Sequence, residues 1–408
     1  MSGNKVFFEH INGLRGLAII LVVLFHLSSD TFPCCFYGVD IFLVITGYLL
    51  FIGLKKQEGS LMGSAAFAMK RAARILPPVA VLVFLTLCAG FFLLDYLDNI
   101  EASRLGRYTL LGMANVHLNK EASDYFAADF SDNPLMHMWY IGVTLQVYLM
   151  FIVGNAICKR IPRRVWLPSL FAVAAVSLAL RYCWSFDLLH LLGLSGKGNM
   201  TEPSYFETLP RVWEVMAGGL VCILPDVSSR FRANVLTICG FVAVLLPVVL
   251  LRESSSAMFP VVVAGTVLII RYYPRSSLTV LLCNRLLMFV GTISFSLYMV
   301  HLPVFVCYKS WAFREMGEVD YVVMLLLSFL FAWGYYKLVE RPKWNWKVWG
   351  AVWLAVLFVC VLVKKVDGFK GMLQSDADCQ LLPEYTMWSG EVDSELFRGY
   401  DKNLLKAD

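Results

Sequence analysis

Charge is the scarce component of this sequence. Lysine, arginine, aspartate and glutamate make up 16% of its 408 residues, against about a quarter in soluble domains. Hydrophobic residues reach 59% and the mean hydropathy is +0.66, which excludes a soluble globule and a disordered chain. Glycine shows no collagen-like triplet and the eleven cysteines show no CxxC pair and no metal-ligand spacing. Most cysteines sit in or beside apolar runs, where cysteine behaves as a small hydrophobe. The vicinal Cys34–Cys35 pair and Cys379 fall outside those runs, so no disulfide framework is expected. A formal charge of +5 is too small to indicate a nucleic-acid partner. No internal repeat is visible, and with it no inverted-repeat transporter signature.

Long apolar runs fill the chain instead. A bilayer crossing takes about 20 apolar residues, and eleven segments reach or approach that length: 11–28, 37–54, 77–97, 135–157, 165–183, 209–224, 235–251, 257–271, 286–308, 321–338 and 348–364. The expectation is an all-α polytopic membrane bundle of about ten core helices, with an eleventh leading to an external tail. Arg15 lies inside the first run and no small-x-small cleavage site follows it, so that run reads as a mature helix and not as a signal peptide. The corresponding organisation is a membrane domain over 1–345, an additional helix at 346–364 and a polar tail or linker stub at 365–408.

Loop charge sets the expected orientation. Loops 55–76, 158–164, 225–234, 271–285 and 339–347 carry 17 basic residues, whereas the alternate loops carry 7. Basic loops stay in the cytoplasm, so the N-terminus is expected inside and the tail outside. Loop 98–134 is then external and acidic, with a stretch at 104–118 apolar enough to lie on the membrane or dip into it.

Ionisable groups within membrane spans are costly and mark function. Arg15 and His26 are eleven residues apart, about three turns plus 20°, so both lie on one face with a rise of roughly 16–17 Å between them. The pair suggests a polar passage, with His26 able to act as a base near neutral pH; the alternative is an Arg15 that snorkels and a His26 bound to a backbone carbonyl. Asp40 enters the second run at about the depth at which His26 ends. A carboxylate there could orient the imidazole or simply face water. Arg71 and Arg74, at i,i+3, project from one side of a helix. Paired guanidiniums suit phosphate, although basic residues at this boundary also serve topology. Trp139 and Gln146 in the fourth run, the i,i+3 pair Arg211 and Glu214, Tyr298 and His301 in the ninth, and Glu340 before Pro342 complete the candidates. No metal site is expected.

These residues fall into ordered motifs. They are Gly13-Leu14-Arg15-Gly16-Leu17-Ala18 through His26; Gly38-Val39-Asp40-Ile41-Phe42 through Gly47-Tyr48; Arg71-Ala72-Ala73-Arg74-Ile75-Leu76-Pro77; His137-Met138-Trp139 through Gln146-Val147-Tyr148; Arg211-Val212-Trp213-Glu214 through Gly218-Gly219; Ile293-Ser294-Phe295-Ser296-Leu297-Tyr298 through His301-Leu302-Pro303; and Val339-Glu340-Arg341-Pro342. In this order, over about residues 8–345, they resemble the acyltransferase-3 family of bacterial integral-membrane acyltransferases, which acetylate exported glycans. The resemblance implies a protein of the bacterial cytoplasmic membrane that takes acetyl-CoA from the cytoplasm. Its phosphates would lie near Arg71 and Arg74, and the acyl group would pass along Arg15 toward His26. The implied partners are membrane lipids and an exported glycan or glycolipid acceptor. Many members continue into an extracytoplasmic esterase-like domain, an arrangement that the eleventh span and tail fit. One position departs from the family pattern: the usual glutamate of the fourth run is Thr144.

The expected reaction is acetyl transfer from acetyl-CoA to a hydroxyl of an envelope polysaccharide or glycolipid. His26 would be general base, Asp40 its orienter, and Arg15 the group that stabilises negative charge or positions the donor. A transporter or channel using Arg15, His26 and Glu340 as a relay, and a catalytically silent scaffold, are the alternative readings. The orientation is tested by cysteine labelling: a Gly59→Cys probe should react only from the cytoplasm and Cys379 only from outside. The reverse pattern would invert the sidedness of the whole scheme.

Overall fold

The computed structural model describes residues 3–55, 61–124, 133–158, 162–185, 205–251, 256–312, 314–342 and 345–366. Position 59 and nearly all of the tail, including Cys379, lie outside them. The described residues form fourteen α-helices and no strand: α1 Gly3–Leu27, α2 Gly38–Lys55, α3 Leu61–Leu93, α4 Tyr96–Leu110, α5 Ala114–Asp124, α6 Trp139–Cys158, α7 Arg163–Ser185, α8 Val212–Leu220, α9 Arg230–Leu250, α10 Phe259–Tyr272, α11 Arg285–Thr292, α12 Ser294–Ala312, α13 Glu318–Tyr335 and α14 Trp346–Lys365. The protein is an all-α, multi-pass membrane bundle. In hydrocarbon every backbone polar group must be satisfied within the segment, and helices do this. Local signals set several boundaries. The side chains of Asp95, Ser229, Asn284 and Asn345 each accept a backbone N–H in the first turn of α4, α9, α11 and α14.

Seven helices (α1, α2, α3, α6, α9, α13 and α14) are individually long and apolar enough to cross a membrane. Of the remaining apolar runs, α7 is a continuous helix with a shorter apolar stretch, and the other three are short or bent. α8 has only 9 residues, framed by Pro210 and Pro225, and α10 has 14, framed by Pro260 and Pro274. α11 and α12 belong to one run but meet at 72°. At that break the carbonyl of Met288 is occupied by the side chains of Asn12 (2.9 Å) and Thr292 (2.8 Å). Proline and side-chain capping of backbone carbonyls are ordinary causes of such bends.

Two regions expected to be loops are helical. Residues 61–76 extend the third run, so α3 has 33 residues and is about 50 Å long. It continues through Pro77 and Pro78, with the Pro78 carbonyl taken by the Tyr335 hydroxyl. Arg71 and Arg74 therefore stand on a helix and not in a loop. Residues 96–124 are a helical hairpin and not irregular loop. α4 turns back along α3 and packs between α3 and α14, burying Asn99, Ala102, Leu105 and Gly106. The Trp353 indole donates to the Leu110 carbonyl at 3.1 Å. Gly112, at φ +69°, then reverses the chain into α5. Cys34 and Cys35, expected outside the spans, are buried in a short 3₁₀ turn that leads into α2.

A close helix crossing sets α2 against α8. A β-carbon on Gly47 would lie 2.0 Å from the Val215 carbonyl oxygen, and one on Gly218 would lie 2.1 Å from that of Val44. Small residues allow this approach, which in a membrane gives association through packing. Gly47→Ala should therefore destabilise the purified protein by about 1–3 kcal/mol, read as a lowered thermal midpoint in detergent. Gly154→Ala, whose β-carbon meets nothing within 4 Å, is the matched control and should be neutral or slightly stabilising. Equal midpoints for the two variants would remove the crossing as a constraint.

Candidate active site

The candidate residues separate into three groups along the bundle. The first is a fixed charge cluster. Arg211, at the start of α8, is fully buried, and its Nη1 lies 2.9 Å from Asp40 Oδ1 on α2 and 3.3 Å from Glu214 Oε1. Its Nε donates to the Tyr205 carbonyl at 3.0 Å. Its guanidinium is caged by aromatic rings: Tyr205 at 4.4 Å, Trp139 at 5.1 Å and Phe259 at 5.9 Å. Arg181 of α7 stacks on the Phe259 ring at 3.9 Å and acts electrostatically on both acids. Two guanidiniums thus balance two carboxylates. The sequence reading misses Arg181, although an arginine two residues before the end of the 165–183 run is a membrane-embedded charge of the kind that marks a site.

Asp40 is consequently not placed as the orienter of His26. Its Oδ1 is held by Arg211, and among the described residues no hydrogen bond joins it to His26. A full positive charge competes for a buried carboxylate more strongly than a neutral imidazole does.

The second group consists of histidines. His26 of α1 is half-buried, and its ring lies 5.2 Å from that of His301 on α12. His301 in turn lies 5.0 Å from His137, in the short 3₁₀ turn before α6. His137 and His301 are buried. His301 Nδ1 lies 3.0 and 2.9 Å from the carbonyls of Leu297 and Tyr298, and His137 Nε2 lies 3.1 Å from that of Met299. The Tyr298 hydroxyl donates to the His137 carbonyl, tying α12 to the same turn. No group of histidine, cysteine, aspartate or glutamate among the described residues is arranged to hold a metal ion.

The third group is basic and lies toward the other end of α1. Glu340 closes a π-helical turn after α13, where its side chain is 3% exposed. It accepts a hydrogen bond from Ser296 at 2.6 Å and lies 3.8 Å from Arg74. Glu340, Arg74, Tyr140 and Arg71 act electrostatically on Arg15. Arg71 lies over the Phe67 ring at 5.2 Å, and the Arg74 side chain is 71% exposed. Three guanidiniums therefore face one carboxylate, leaving an electropositive mouth. Thr144 is buried one turn from Tyr140, whose hydroxyl lies 3.3 Å from that of Thr46.

Gln146 joins none of these groups. Its amide donates to the Gly112 carbonyl at 3.0 Å and to Asn115 at 2.8 Å, and it accepts from Thr208 at 2.5 Å. It locks the tip of the α4–α5 hairpin to α6. Asn115 and Thr208 lie in stretches that the hydropathy pattern assigns to loops, so their sequence signal was absent.

The acyltransferase domain model of the acyltransferase-3 family matches residues 8–337. The chain belongs to the acyltransferase-3 family. It is similar to the membrane-bound transacylase BcsY of Komagataeibacter xylinus, at 28% identity over 81% of each chain. It is also similar to the O-acetyltransferase OatA of Staphylococcus aureus, at 25% identity over 81% of this chain and 56% of that relative, so it spans little more than half of OatA. No solved structure matches. Membership makes the protein a membrane-bound O-acyltransferase, and all three groups lie on helices inside the matched region except for Glu340, three residues beyond it.

The charge cluster has a measurable consequence. Removing one partner of a buried ionic set costs about 3–5 kcal/mol because the other charges stay uncompensated. Arg211→Ala should therefore lower the thermal midpoint sharply, and the double variant Arg211→Ala with Asp40→Asn should recover part of the loss. Simple additivity of the two substitutions would show that the acid and the guanidinium are not coupled.

Proposed function

We propose that the protein transfers an acetyl group from cytoplasmic acetyl-CoA to a hydroxyl of an exported cell-envelope polysaccharide or glycolipid, in the bacterial cytoplasmic membrane with the N-terminus inside. The observation that carries this reading is the separation of the basic mouth from the histidines along one helix. Arg15 and His26 share a face of α1 roughly 16–17 Å apart. The CoA phosphates occupy the mouth at Arg71 and Arg74, with Arg15 beside the pantetheine arm as it enters, and the arm delivers the thioester toward His26. The relatives' names support the chemistry: one is a transacylase and another an O-acetyltransferase.

In this reading His26 is the general base. It takes the proton of the acceptor hydroxyl as the oxygen bonds to the thioester carbonyl carbon. The tetrahedral intermediate collapses with loss of the CoA thiolate. Asp40, Arg211 and Glu214 hold α2 and α8 in place beside this route without touching the reacting atoms. Trp139 contributes to the cage around Arg211, and Tyr298 and His301 line the histidine group.

Kinetics separate the two ends. His26→Ala should lower kcat by about 10²–10⁴-fold at normal protein level. Arg71→Ala and Arg74→Ala should instead raise the KM for acetyl-CoA, each charge-assisted phosphate contact being worth roughly 1.5–3 kcal/mol. Lysine should restore only part of that, because it lacks the two-pronged geometry. The measurement is acetyl-CoA titration in membranes at fixed salt. Wild-type glycan acetylation by His26→Ala would overturn the base. Unchanged donor affinity in the double arginine variant would return that pair to topology.

A further inference from the structure

We propose that His301, and not a carboxylate, is the positioning residue for His26, and that it acts by accepting a hydrogen bond from the imidazolium that forms during acyl transfer. The inference rests on the reading of His26 as base.

The tautomer of His301 follows from its partners. Nδ1 faces two carbonyl oxygens, of Leu297 and Tyr298, which can only accept. Nδ1 therefore carries the proton, and in the neutral ring Nε2 carries the lone pair. That Nε2 is buried and has no hydrogen-bond partner. Buried polar atoms are nearly always satisfied, so an orphaned acceptor calls for a physical reason. The ring in contact with it across the helix interface is that of His26. His137 shows the same pattern from the other side: Nε2 is turned to the Met299 carbonyl and Nδ1 is buried without a partner. Two imidazoles are thus held by backbone carbonyls with their basic nitrogens unused. His301 is assigned because it alone of the two makes a ring contact with His26.

An acceptor left unsatisfied at rest is useful if a donor appears during the reaction. Neutral His26 has one N–H, whereas imidazolium has two. When the acceptor hydroxyl gives its proton to His26, the oxygen bonds to the thioester carbon and the ring becomes a donor at both nitrogens. One N–H then turns to His301 Nε2. As the carbon–sulfur bond breaks, its electron pair leaves on the CoA sulfur and His26 returns the proton to that sulfur. The His301 lone pair is preorganised for charge that develops only in the transition state, which raises kcat and not donor affinity. The other titratable or charged groups facing the two rings are His137 from the turn before α6, Tyr298 and Lys309 from α12, and Tyr140 of α6 behind Tyr298.

Two near-isosteric substitutions divide the roles of the ring. In His301→Asn the amide nitrogen can still donate to the Leu297 and Tyr298 carbonyls, but the Nε2 acceptor is gone. His301→Gln places a carbonyl oxygen near the Nε2 position. Each variant is assayed in inside-out membrane vesicles of the expressing cells, given radiolabelled acetyl-CoA, by alkali-labile label in the cells' own envelope polysaccharide. Protein level and thermal midpoint are measured alongside. The expected result is a loss of about 10²-fold in kcat for His301→Asn, a loss of no more than about tenfold for His301→Gln, and an unchanged KM for acetyl-CoA in both. The acid limb of kcat/KM should also move to lower pH in His301→Asn, because protonated His26 has lost its acceptor. In a His26→Ala background, His301→Asn should cost nothing further. A purely structural His301 would reverse the order, with asparagine the better substitute and the acid limb fixed, and that result overturns the inference while leaving His26 as base. Retention of transfer by His26→Ala overturns the underlying reading itself.

Discussion

Arg211 is the constraint on which the rest of this fold depends. A guanidinium buried in a membrane bundle persists only if its charge is balanced. Here the balance comes from two helices, through Asp40 on α2 and Glu214 on α8, and the aromatic cage from three more segments, through Trp139, Tyr205 and Phe259. α8 is only nine residues long and could not anchor itself in lipid. Its position is set by the ionic contact on one side and by the Gly47–Gly218 crossing on the other. The same two contacts fix α2 against its neighbours, and α2 packs against α1, which carries both Arg15 and His26.

That arrangement changes the meaning of several sequence signals. Asp40, Arg211, Glu214, Gly47 and Gly218 all stand in the motifs that led to the family, and all of them serve one helix crossing and its charge pair. A motif residue can therefore owe its place to packing and charge balance. The distinction is one of partners: Asp40 has its carboxylate bound to Arg211, whereas His26 meets another imidazole.

The helical class and most of the helix positions were legible in the sequence, because both rest on hydropathy; Arg15, Arg71, Arg74 and Glu340 were legible as separate candidates, and their grouping came from the packing of α1, α3 and the turn after α13. The α4–α5 hairpin was not legible. α4 carries Asp98, Glu101, Arg104 and Arg107 among its residues, and a polar stretch reads as a loop unless its buried face is known. Only one side of α4 meets α3 and α14. The Gln146–Asn115–Thr208 network was hidden for the same reason, since two of its members lie in segments that hydropathy assigns to water. The extension of α3 below Pro77 was hidden by the usual rule that proline ends a helix, whereas here the helix runs on through Pro77 and Pro78.

The two ends of the site differ in the kind of order they require. At the basic mouth, Arg74 is largely exposed, whereas its carboxylate partner Glu340, 3.8 Å away, is buried and held by a hydrogen bond from Ser296. In the proposed reaction Arg74 is the member of the pair free to turn to a phosphate, while Glu340 keeps its Ser296 contact. The histidine group is the opposite case. His137 and His301 are buried and tied to backbone carbonyls of α12, so their tautomers are set by the fold and not by solvent. In the proposed reaction, a donor that must arrive and leave needs the first kind of surface, and a proton that must move once per turnover needs the second. α1 joins the two because one face of a single helix carries Arg15 toward the mouth and His26 toward the imidazoles; under that proposal it sets a rigid distance for the acyl group to cover and confines the chemistry to one end of it.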